Sequence, residues 1–282
     1  MKIYITGIGL IGGSFAMDMR EIFPGVIIYG IDSSAPHLEK AISLGIIDHA
    51  GTLEEIVEAD IVIVAIPVDV NGEVIAQILD KIKDDCLVID TGSTKSRVCN
   101  LLKGHPQRRN FLAAHPIAGT EYSGPQAAIP NLFRNKTMII CEVEKTAFKL
   151  QERALELFQK LGMRIRYMDA NSHDKHIAYV SHLSHISSFM LGKTVLEKEK
   201  NERDIFDMAG SGFASTVRLA KSSPAMWTPI FKENKENVLE TLKEYILNLT
   251  HFKELIENEN FNEVFDEMER TNYIKTILNG IN

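Results

Sequence analysis

The chain has 282 residues, with 45% hydrophobic side chains, 24% charged side chains and a formal net charge of −7. This composition is that of a globular protein of about two domains; it excludes a disordered chain, and a nucleic-acid or membrane partner is not expected. The longest strongly apolar run, 61–68, is too short to cross a bilayer and no signal-peptide pattern follows Met1, so we expect a cytoplasmic protein.

Up to about Met168, short β-branched apolar runs alternate with helical patterns, which is typical of a parallel sheet covered by helices on both faces. The segment Thr52-Leu-Glu-Glu55 predicts a capped helix start, and the amphipathic spacing of 147–161 predicts another helix. The predicted strands are 2–6, 26–31, 61–66, 87–90, 111–114, 137–141 and 164–168.

After Met168 the strand signal ends and helical periodicity continues to the end of the chain. We therefore predict an α/β fold: a Rossmann-type, doubly wound, mostly parallel sheet in residues 1–168, followed by an all-helical domain in residues 169–282. From Val238 onwards the apolar residues form a stripe along one helix face. Such a stripe is either intramolecular core or a subunit interface.

A glycine-rich segment, Gly7-Ile-Gly9-Leu-Ile-Gly12, follows the first predicted strand and opens a helix, the context in which G-x-G-x-x-G binds a dinucleotide. The glycines permit a tight turn, approach of the backbone to a pyrophosphate and close helix–strand contact, and the helix N-terminus attracts the anion. Asp32 follows the second strand, about 20 residues after Gly12, where a carboxylate accepts the ribose hydroxyls of NAD and repels the 2′-phosphate of NADP. The alternative is that Asp32 only caps the helix that begins near Ala35. We predict NAD as the cofactor, bound by Gly7, Gly9, Leu10, Ile11, Gly12, Asp32, Ile66 and Pro67.

Polar residues follow two further predicted strands, at the edge where open α/β sheets bind ligands. The turn Asp90-Thr-Gly-Ser-Thr-Lys95 ends one strand, and His115-Pro-Ile-Ala-Gly-Thr-Glu121 follows the next. We expect Ser93 and His115 to face each other there, with the hydroxyl holding the histidine.

The helical part carries further polar residues. Ser181-His-Leu-Ser-His185 places His182 and His185 on one helix face, and Arg218 is the only cation between residues 209 and 220. No cysteine or carboxylate joins the two histidines in local ligand spacing, so we predict pocket lining and no metal. The three cysteines show no C-x-x-C spacing and predict reduced thiols. We expect His173, Asp174 and His176 to be solvated or helix-capping groups.

In their order along the chain, these segments resemble the prephenate dehydrogenase family. The resemblance rests on the G-x-G-L-I-G-G-S opening, the D-x-G-S-x-K turn, H-P-I-A-G-T-E, S-H-L-x-H and the A-G-x-G-F…R-x-A run, and it covers nearly the whole chain. Where the family commonly has G-F-R-D-x-T-R, this chain has Ala214, Ser215 and Val217, and Ser184 stands in place of a proline. The missing charges beside Arg218 leave the choice between prephenate and its amino analogue, arogenate, open.

The resemblance implies roles for individual residues. His115 matches the catalytic histidine that accepts the proton of the substrate's ring hydroxyl, and Ser93 matches the serine that orients it. Arg218 matches the arginine that binds a substrate carboxylate, for which its planar fork is suited. The implied substrate site contains Thr120, Glu121, Ser181, His182, His185 and Arg218, with Trp227 near it.

The sequence thus predicts an NAD-dependent enzyme that converts prephenate to 4-hydroxyphenylpyruvate in tyrosine biosynthesis, as a homodimer formed through its helical domain. Tyrosine, if it inhibits, would have to act in the substrate pocket. Arogenate dehydrogenase is the nearest alternative. A β-hydroxyacid dehydrogenase, which needs a helical lysine such as Lys175 or Lys193, and a non-enzymatic NAD-sensing module are more distant alternatives.

Overall fold

A computed structural model of the chain describes residues 1–200, 202 and 204–279. The chain divides into two compact units, Met1–Lys235 and Glu236–Asn282. Met168 lies within the first unit, and the predicted domain boundary there stays a prediction. The strands are β1 (Lys2–Thr6), β2 (Ile27–Ile31), β3 (His49–Ala50), β4 (Ile61–Val64), β5 (Leu87–Asp90), β6 (Phe111–Pro116), β7 (Thr137–Cys141) and β8 (Arg164–Met168).

These strands form one sheet in the order β3-β2-β1-β4-β5-β6-β7-β8. All neighbouring strands run parallel except β6 and β7, which pair antiparallel. The order reverses at β1, with β2 on one side and β4 on the other, which is the switch point at which open α/β sheets bind ligands. The predicted α/β fold with a mostly parallel sheet is confirmed.

The seven predicted strands are all present, within two residues at each end. The short strand β3 was not predicted, because two residues carry no period of alternation. Alternate side chains of β1 enter different cores. Ile3 and Ile5 pack in the cluster that contains Phe15 and Phe158, whereas Tyr4 packs on the opposite face of the sheet with Ile75.

Helices cover both faces of the sheet and continue after it. They are α1 (Leu10–Ile22), α2 (Ala35–Ser43), α3 (Val68–Leu79), α4 (Ser96–Leu102), α5 (Phe148–Lys160), α6 (Ala170–Ile177), α7 (Leu183–Glu199), α8 (Ser211–Thr216), α9 (Pro224–Glu233), α10 (Lys235–Glu257), α11 (Phe261–Thr271) and α12 (Ile274–Asn279). The amphipathic helix predicted at 147–161 is confirmed as α5. None of the helices in the described part of the chain is long and apolar enough to cross a bilayer.

The helix predicted after Thr52 is wrong. The backbone N–H of Thr52 does donate to the Glu55 carboxylate, 2.8 Å away, as in a capping box. Only one 3₁₀ turn, Glu55–Glu58, follows it, and that turn ends at Ala59, just before strand β4. A capping box can begin a helix, but β4 begins at Ile61, so too few residues remain here to form one.

A π-helical turn, Ala178–His182, lies between α6 and α7. Such turns widen a helix by one residue and are frequent at functional sites. This turn carries Ser181 and His182, whereas His185 lies in α7. The two histidines predicted to share a helix face do contact the same side chain, Trp227, although the helix between them starts from an irregular turn.

Candidate active site

The glycine loop between β1 and α1 is closely packed. Gly7 has φ +89°, and a Cβ there would lie 2.3 Å from the carbonyl oxygen of Ala65. A Cβ on Gly12 would lie 2.0 Å from the carbonyl oxygen of Gly7. Any larger residue at either position forces the loop to move. Around Gly9, by contrast, a Cβ would meet no atom within 4 Å, so its backbone stays open to a ligand.

The N-terminus of α1 fits a dinucleotide diphosphate. Gly9 is its N-cap, with no side-chain capping hydrogen bond and no acidic residue in the first turn, so the free N–H groups and the helix dipole favour an anion. Pro67, the N-cap of α3, follows β4 at the same edge of the sheet. These features satisfy the requirements of a nucleotide site.

Asp32 follows β2 and is held in place by two backbone groups. Its carboxylate accepts hydrogen bonds from the N–H of Ile8 and of Ser34, each at 2.9 Å. The cap of α2 is Ser34, whose hydroxyl accepts from the N–H of His37, so the reading of Asp32 as a mere helix cap is wrong. Asp32 therefore orders the glycine loop and presents a carboxylate where ribose hydroxyls bind in this fold.

A buried ion pair joins the ends of β5 and β6. The side chains of Asp90 and Lys95 are completely buried and form a short salt bridge. The Lys95 ammonium also donates to the carbonyl oxygen of Ala114, 2.8 Å away, and the Asn71 amide donates to Asp90 at 3.2 Å. Because Ala114 directly precedes His115, this ion pair fixes the backbone that carries the histidine.

His115 lies at the end of β6 and is 8% exposed. Its Nδ1 lies 2.8 Å from Nε2 of His173, and Nδ1 of His173 lies 2.8 Å from Oδ1 of Asp174. The Asp174 carboxylate accepts the backbone N–H groups of Lys95 at 2.7 Å and Ser96 at 2.8 Å. A hydrogen-bonded chain of three side chains therefore runs from helix α6 to the end of β6.

Two expectations from the sequence are corrected here. His173 and Asp174 are 1% and 2% exposed, so they are not solvated groups, and the cap of α6 is Asp169. The partner of His115 Nδ1 is His173, and in the described part of the chain no hydrogen bond joins Ser93 to His115. A contact between residues 58 positions apart gives no local sequence signal, which is why the two groups were missed.

The hydrogen bonds assign the tautomers of both rings. The Asp174 carboxylate only accepts, so His173 donates from Nδ1 and accepts at Nε2. His115 then donates from Nδ1 to His173, and its Nε2 is the remaining acceptor. A neutral imidazole with a free Nε2 is a general base.

Electrostatics keep His115 neutral. Burial lowers its pKa well below the ordinary 6.5, and the neighbouring His173, Lys95 and His182 lower it further. Burial also lowers the pKa of His173, against the opposing effect of its hydrogen bond to Asp174. Burial alone would raise the pKa of Asp174, but the hydrogen bonds from His173 and from the backbone N–H groups outweigh it and lower that pKa.

The helical part contributes an aromatic wall with unpaired donors. His185 stacks on Trp227 with ring centroids 3.6 Å apart, and His182 meets the same indole edge-on at 5.8 Å. Asn234 donates to the carbonyl oxygen of Asp174 at 2.7 Å and lies 3.2 Å from Nδ1 of His182, so His182 carries its proton on Nε2. That Nε2 and the Trp227 Nε1 are buried without a partner among the described residues, as expected where a polar ligand or water completes the site.

Arg218 stands at the more open end of the site. Its Nη1 lies 3.2 Å from Oε2 of Glu121, and its side chain is 52% exposed. Burial is the main cause that lowers the pKa of His185, and the charge of Arg218 lowers that pKa further. Thr120 lies in the same loop as Glu121, and its hydroxyl accepts the N–H of Tyr122 at 3.3 Å. The positive group predicted to meet a carboxylate is therefore accessible and paired with an acid from the β6–β7 loop.

The structure thus brings many of the predicted site residues into contact with one another or with shared neighbours, and it does so in two groups. One group surrounds the glycine loop and Asp32. The other links His115, His182, His185 and Trp227 through shared neighbours. Arg218, paired with Glu121, lies near enough for its charge to act on His185. Among the described residues, no three His, Cys, Asp or Glu side chains are arranged to hold a metal ion.

A glycine loop at the switch point of a mostly parallel sheet, together with a buried histidine base at the end of a neighbouring strand, is typical of nucleotide-dependent oxidoreductases. Residues 15–167 match the family model described as prephenate dehydrogenase, nucleotide-binding domain, and residues 169–270 match prephenate dehydrogenase, dimerization domain. The chain belongs to the prephenate dehydrogenase family, as the motifs predicted.

Individual relatives agree with this assignment. The chain is 32% identical to prephenate dehydrogenase of Bacillus subtilis (strain 168) over 93% of this chain and 72% of the relative. The crystal structure of A. aeolicus prephenate dehydrogenase with hydroxyphenyl propionate and NAD+ is similar with a TM-score of 0.90 and 32% identity, covering 99% of this chain and 98% of that one. Synechocystis arogenate dehydrogenase is similar with a TM-score of 0.76 and 26% identity, covering 99% of this chain and 100% of that one.

Proposed function

We propose that this protein is an NAD-dependent prephenate dehydrogenase that converts prephenate to 4-hydroxyphenylpyruvate and CO₂. The observation that carries the proposal is the hydrogen-bonded chain from Asp174 through His173 to Nδ1 of His115, which leaves Nε2 of His115 as a base at the ligand-binding edge of the sheet. A base at a ring hydroxyl is what this oxidation requires.

NAD is held by the glycine loop and Asp32. The open backbone at Gly9 and the N–H groups of α1 bind the diphosphate, and Asp32 accepts the ribose hydroxyls. When bound, NAD supplies the hydride acceptor. Because a second phosphate beside Asp32 would be repelled, the site favours NAD over NADP.

His115 takes the proton of the substrate's ring hydroxyl at Nε2. The electron pair of the broken O–H bond forms the C=O bond as hydride leaves the same carbon. Loss of the ring carboxylate as CO₂ then returns the electron pair of the broken C–C bond to the ring, which becomes an aromatic phenolate and takes the proton back from His115. The protein therefore has mainly to position the ring and start the deprotonation.

The substrate's two carboxylates are bound by donors from the helical part. Arg218 offers a planar fork whose Nη1 alone contacts Glu121, so further N–H groups remain for a carboxylate. The buried N–H groups of His182 and Trp227 offer two more donors. Ser93, Thr120, Ser181 and His185 complete this substrate site in the proposal.

The test is to mix the protein with NAD and prephenate, or with NAD and arogenate, and to follow the absorbance of NADH. We expect NADH to form with prephenate. Faster formation with arogenate would replace the proposal by the amino analogue, and no formation with either would reject the dehydrogenase.

Tyrosine, which shares the product's ring and carries a carboxylate, is proposed to bind in this same site. Added tyrosine should then raise the KM for prephenate without changing kcat. A fall in kcat at saturating prephenate would place any tyrosine site elsewhere.

The protein is proposed to act as a homodimer. Residues 169–270 match a family model named for dimerization. The second compact unit exposes many large apolar side chains, which a soluble monomer rarely does. Those that are at least half exposed are Leu239, Ile246, Leu247, Leu249, Phe261, Phe265, Met268, Tyr273, Ile274, Ile277 and Leu278.

A further inference from the structure

His115 is not the end of the hydrogen-bonded chain in which it lies. Behind its Nδ1 stands His173 at 2.8 Å, and behind His173 stands Asp174 at 2.8 Å. The backbone N–H groups of Lys95 and Ser96 hold the carboxylate from the other side. Each link is short enough for a proton to pass from one ring to the next.

The two rings differ in the charges that face them. His115 faces His173, Lys95 and His182, none of which stabilises a positive imidazolium. His173 also feels Lys95, but it contacts the Asp174 carboxylate directly and is stabilised further by Asp90. A positive charge is therefore more stable on the ring that contacts the carboxylate.

We propose that His173 is a positioning residue that also stores the substrate's proton during the reaction. The proton of the ring hydroxyl enters at Nε2 of His115, and the Nδ1 proton of His115 leaves to Nε2 of His173. The substrate loses one proton and His173 gains one. His115 ends neutral with the opposite tautomer, and the imidazolium of His173 lies against Asp174.

This inference rests on the proposed function, since it needs a substrate that releases a proton to His115. It adds that His173 must accept the proton of His115, and that fixing the tautomer of His115 is not sufficient for full activity. Two substitutions separate the alternatives. In His173→Gln the amide oxygen still accepts a hydrogen bond from His115 but cannot take its proton, whereas His173→Leu can do neither.

We expect both variants to lower kcat by roughly 10², within the range of proton-transfer effects, and to leave the affinity for NAD unchanged. His176→Gln is the matched control, because His176 is an exposed histidine of the same helix, and it should behave as the wild type. If His173→Gln keeps the wild-type kcat while His173→Leu loses it, His173 only fixes the tautomer and the relay is wrong.

The pH profile gives a second readout. At low pH His173 is already protonated and cannot accept the Nδ1 proton of His115. The acidic limb of kcat/KM in the wild type therefore reports His173. In His173→Gln the limb reports His115 alone and should move to lower pH, because His115 lacks the contact with a carboxylate that favours the charged form of His173. An unmoved limb contradicts the relay.

A third readout needs neither substrate nor cofactor. Ring ¹⁵N resonances of the free protein, assigned with His173→Gln, should show that His173 is protonated before His115 as the pH falls. Protonation of His115 first would overturn the inference. If NAD and prephenate give no NADH while the ¹⁵N order is as expected, the proposed function fails and the order of protonation in the pair stands.

Discussion

Burial determines the chemistry of three histidines in this protein. His115, His173 and His182 are each less than 9% exposed, and their neutral forms are favoured at neutral pH. A neutral ring is what a base or a hydrogen-bond donor needs here. Acidification lowers the free energy of unfolding, because the unfolded chain then binds protons that the buried histidines of the folded chain do not.

His182 makes this cost measurable. Burial lowers its pKa from 6.5 to about 4, so its contribution to stability is complete above pH 6.5 and is lost as the pH falls toward 4. Between pH 7 and pH 5 this single group should remove about 2 kcal/mol from the free energy of unfolding. Urea unfolding of the wild type and His182→Gln at both pH values should show that difference. Equal losses in the two proteins would mean that His182 is not buried as a neutral ring.

Arg218 should contribute to binding more than to the chemical step. Arg218→Ala should raise the KM for prephenate on the order of tenfold to a hundredfold, the effect of losing a charged hydrogen bond, with a smaller change in kcat. Arg218→Lys keeps the charge without the planar fork, and its KM should lie between those of the wild type and Arg218→Ala. Steady-state kinetics with saturating NAD measure this, and an unchanged KM in the alanine variant is the contrary result.

At the scale of elements, the ends of strands and the turns that follow them carry the site. The glycine loop after β1 has two positions where the packing excludes a Cβ and one, Gly9, where it does not. The packing of the protein therefore does not require glycine at position 9, and we expect that ligand binding does.

Gly9→Ala tests this separation. Its φ of −95° is accessible to alanine and no neighbour lies within 4 Å, so thermal unfolding should be unchanged while NAD affinity falls. Gly12→Ala is the contrast, because its Cβ meets the Gly7 carbonyl and should lower both stability and affinity. Calorimetric titration with NAD measures the affinities. If Gly9→Ala binds NAD as tightly as the wild type, the diphosphate does not bind at this loop.

Local signals explain what the sequence could predict. The glycine loop, Asp32 and strands such as β5 are each encoded within a short window, through a repeat of small residues or a β-branched run. The His115–His173 contact joins residues 58 positions apart and depends on how α6 packs against the sheet. The π-helical turn at Ala178–His182 likewise has no local pattern. Tertiary packing decided both.

At the scale of the whole molecule, the apolar stripe that begins at Val238 bears on assembly. Val238 is 7% exposed, but Leu239, Ile246 and Leu249 on the same helix are each at least half exposed. Half of the six apolar residues of the stripe are therefore exposed in the single chain, which favours the subunit-interface interpretation over the intramolecular core.

Phe265→Asp tests the proposed dimer. Phe265 is 59% exposed and lies in α11, and a charge there should weaken self-association at least tenfold, since each interface of a symmetric pair contains the change twice. Phe148→Asp, at a 71% exposed position of the first unit, is the control and should leave the dimer intact. Sedimentation velocity over a range of concentrations distinguishes them, and a wild-type chain that sediments as a monomer would contradict the proposal.

The central claim is that His115 is the base that starts oxidation of the substrate. Its most direct test is His115→Asn, assayed for NADH formation from prephenate alongside a titration of NAD binding. We expect kcat to fall by roughly 10² to 10⁴ with the affinity for NAD unchanged, the span of a lost general base. A variant that oxidises prephenate as fast as the wild type would contradict the account.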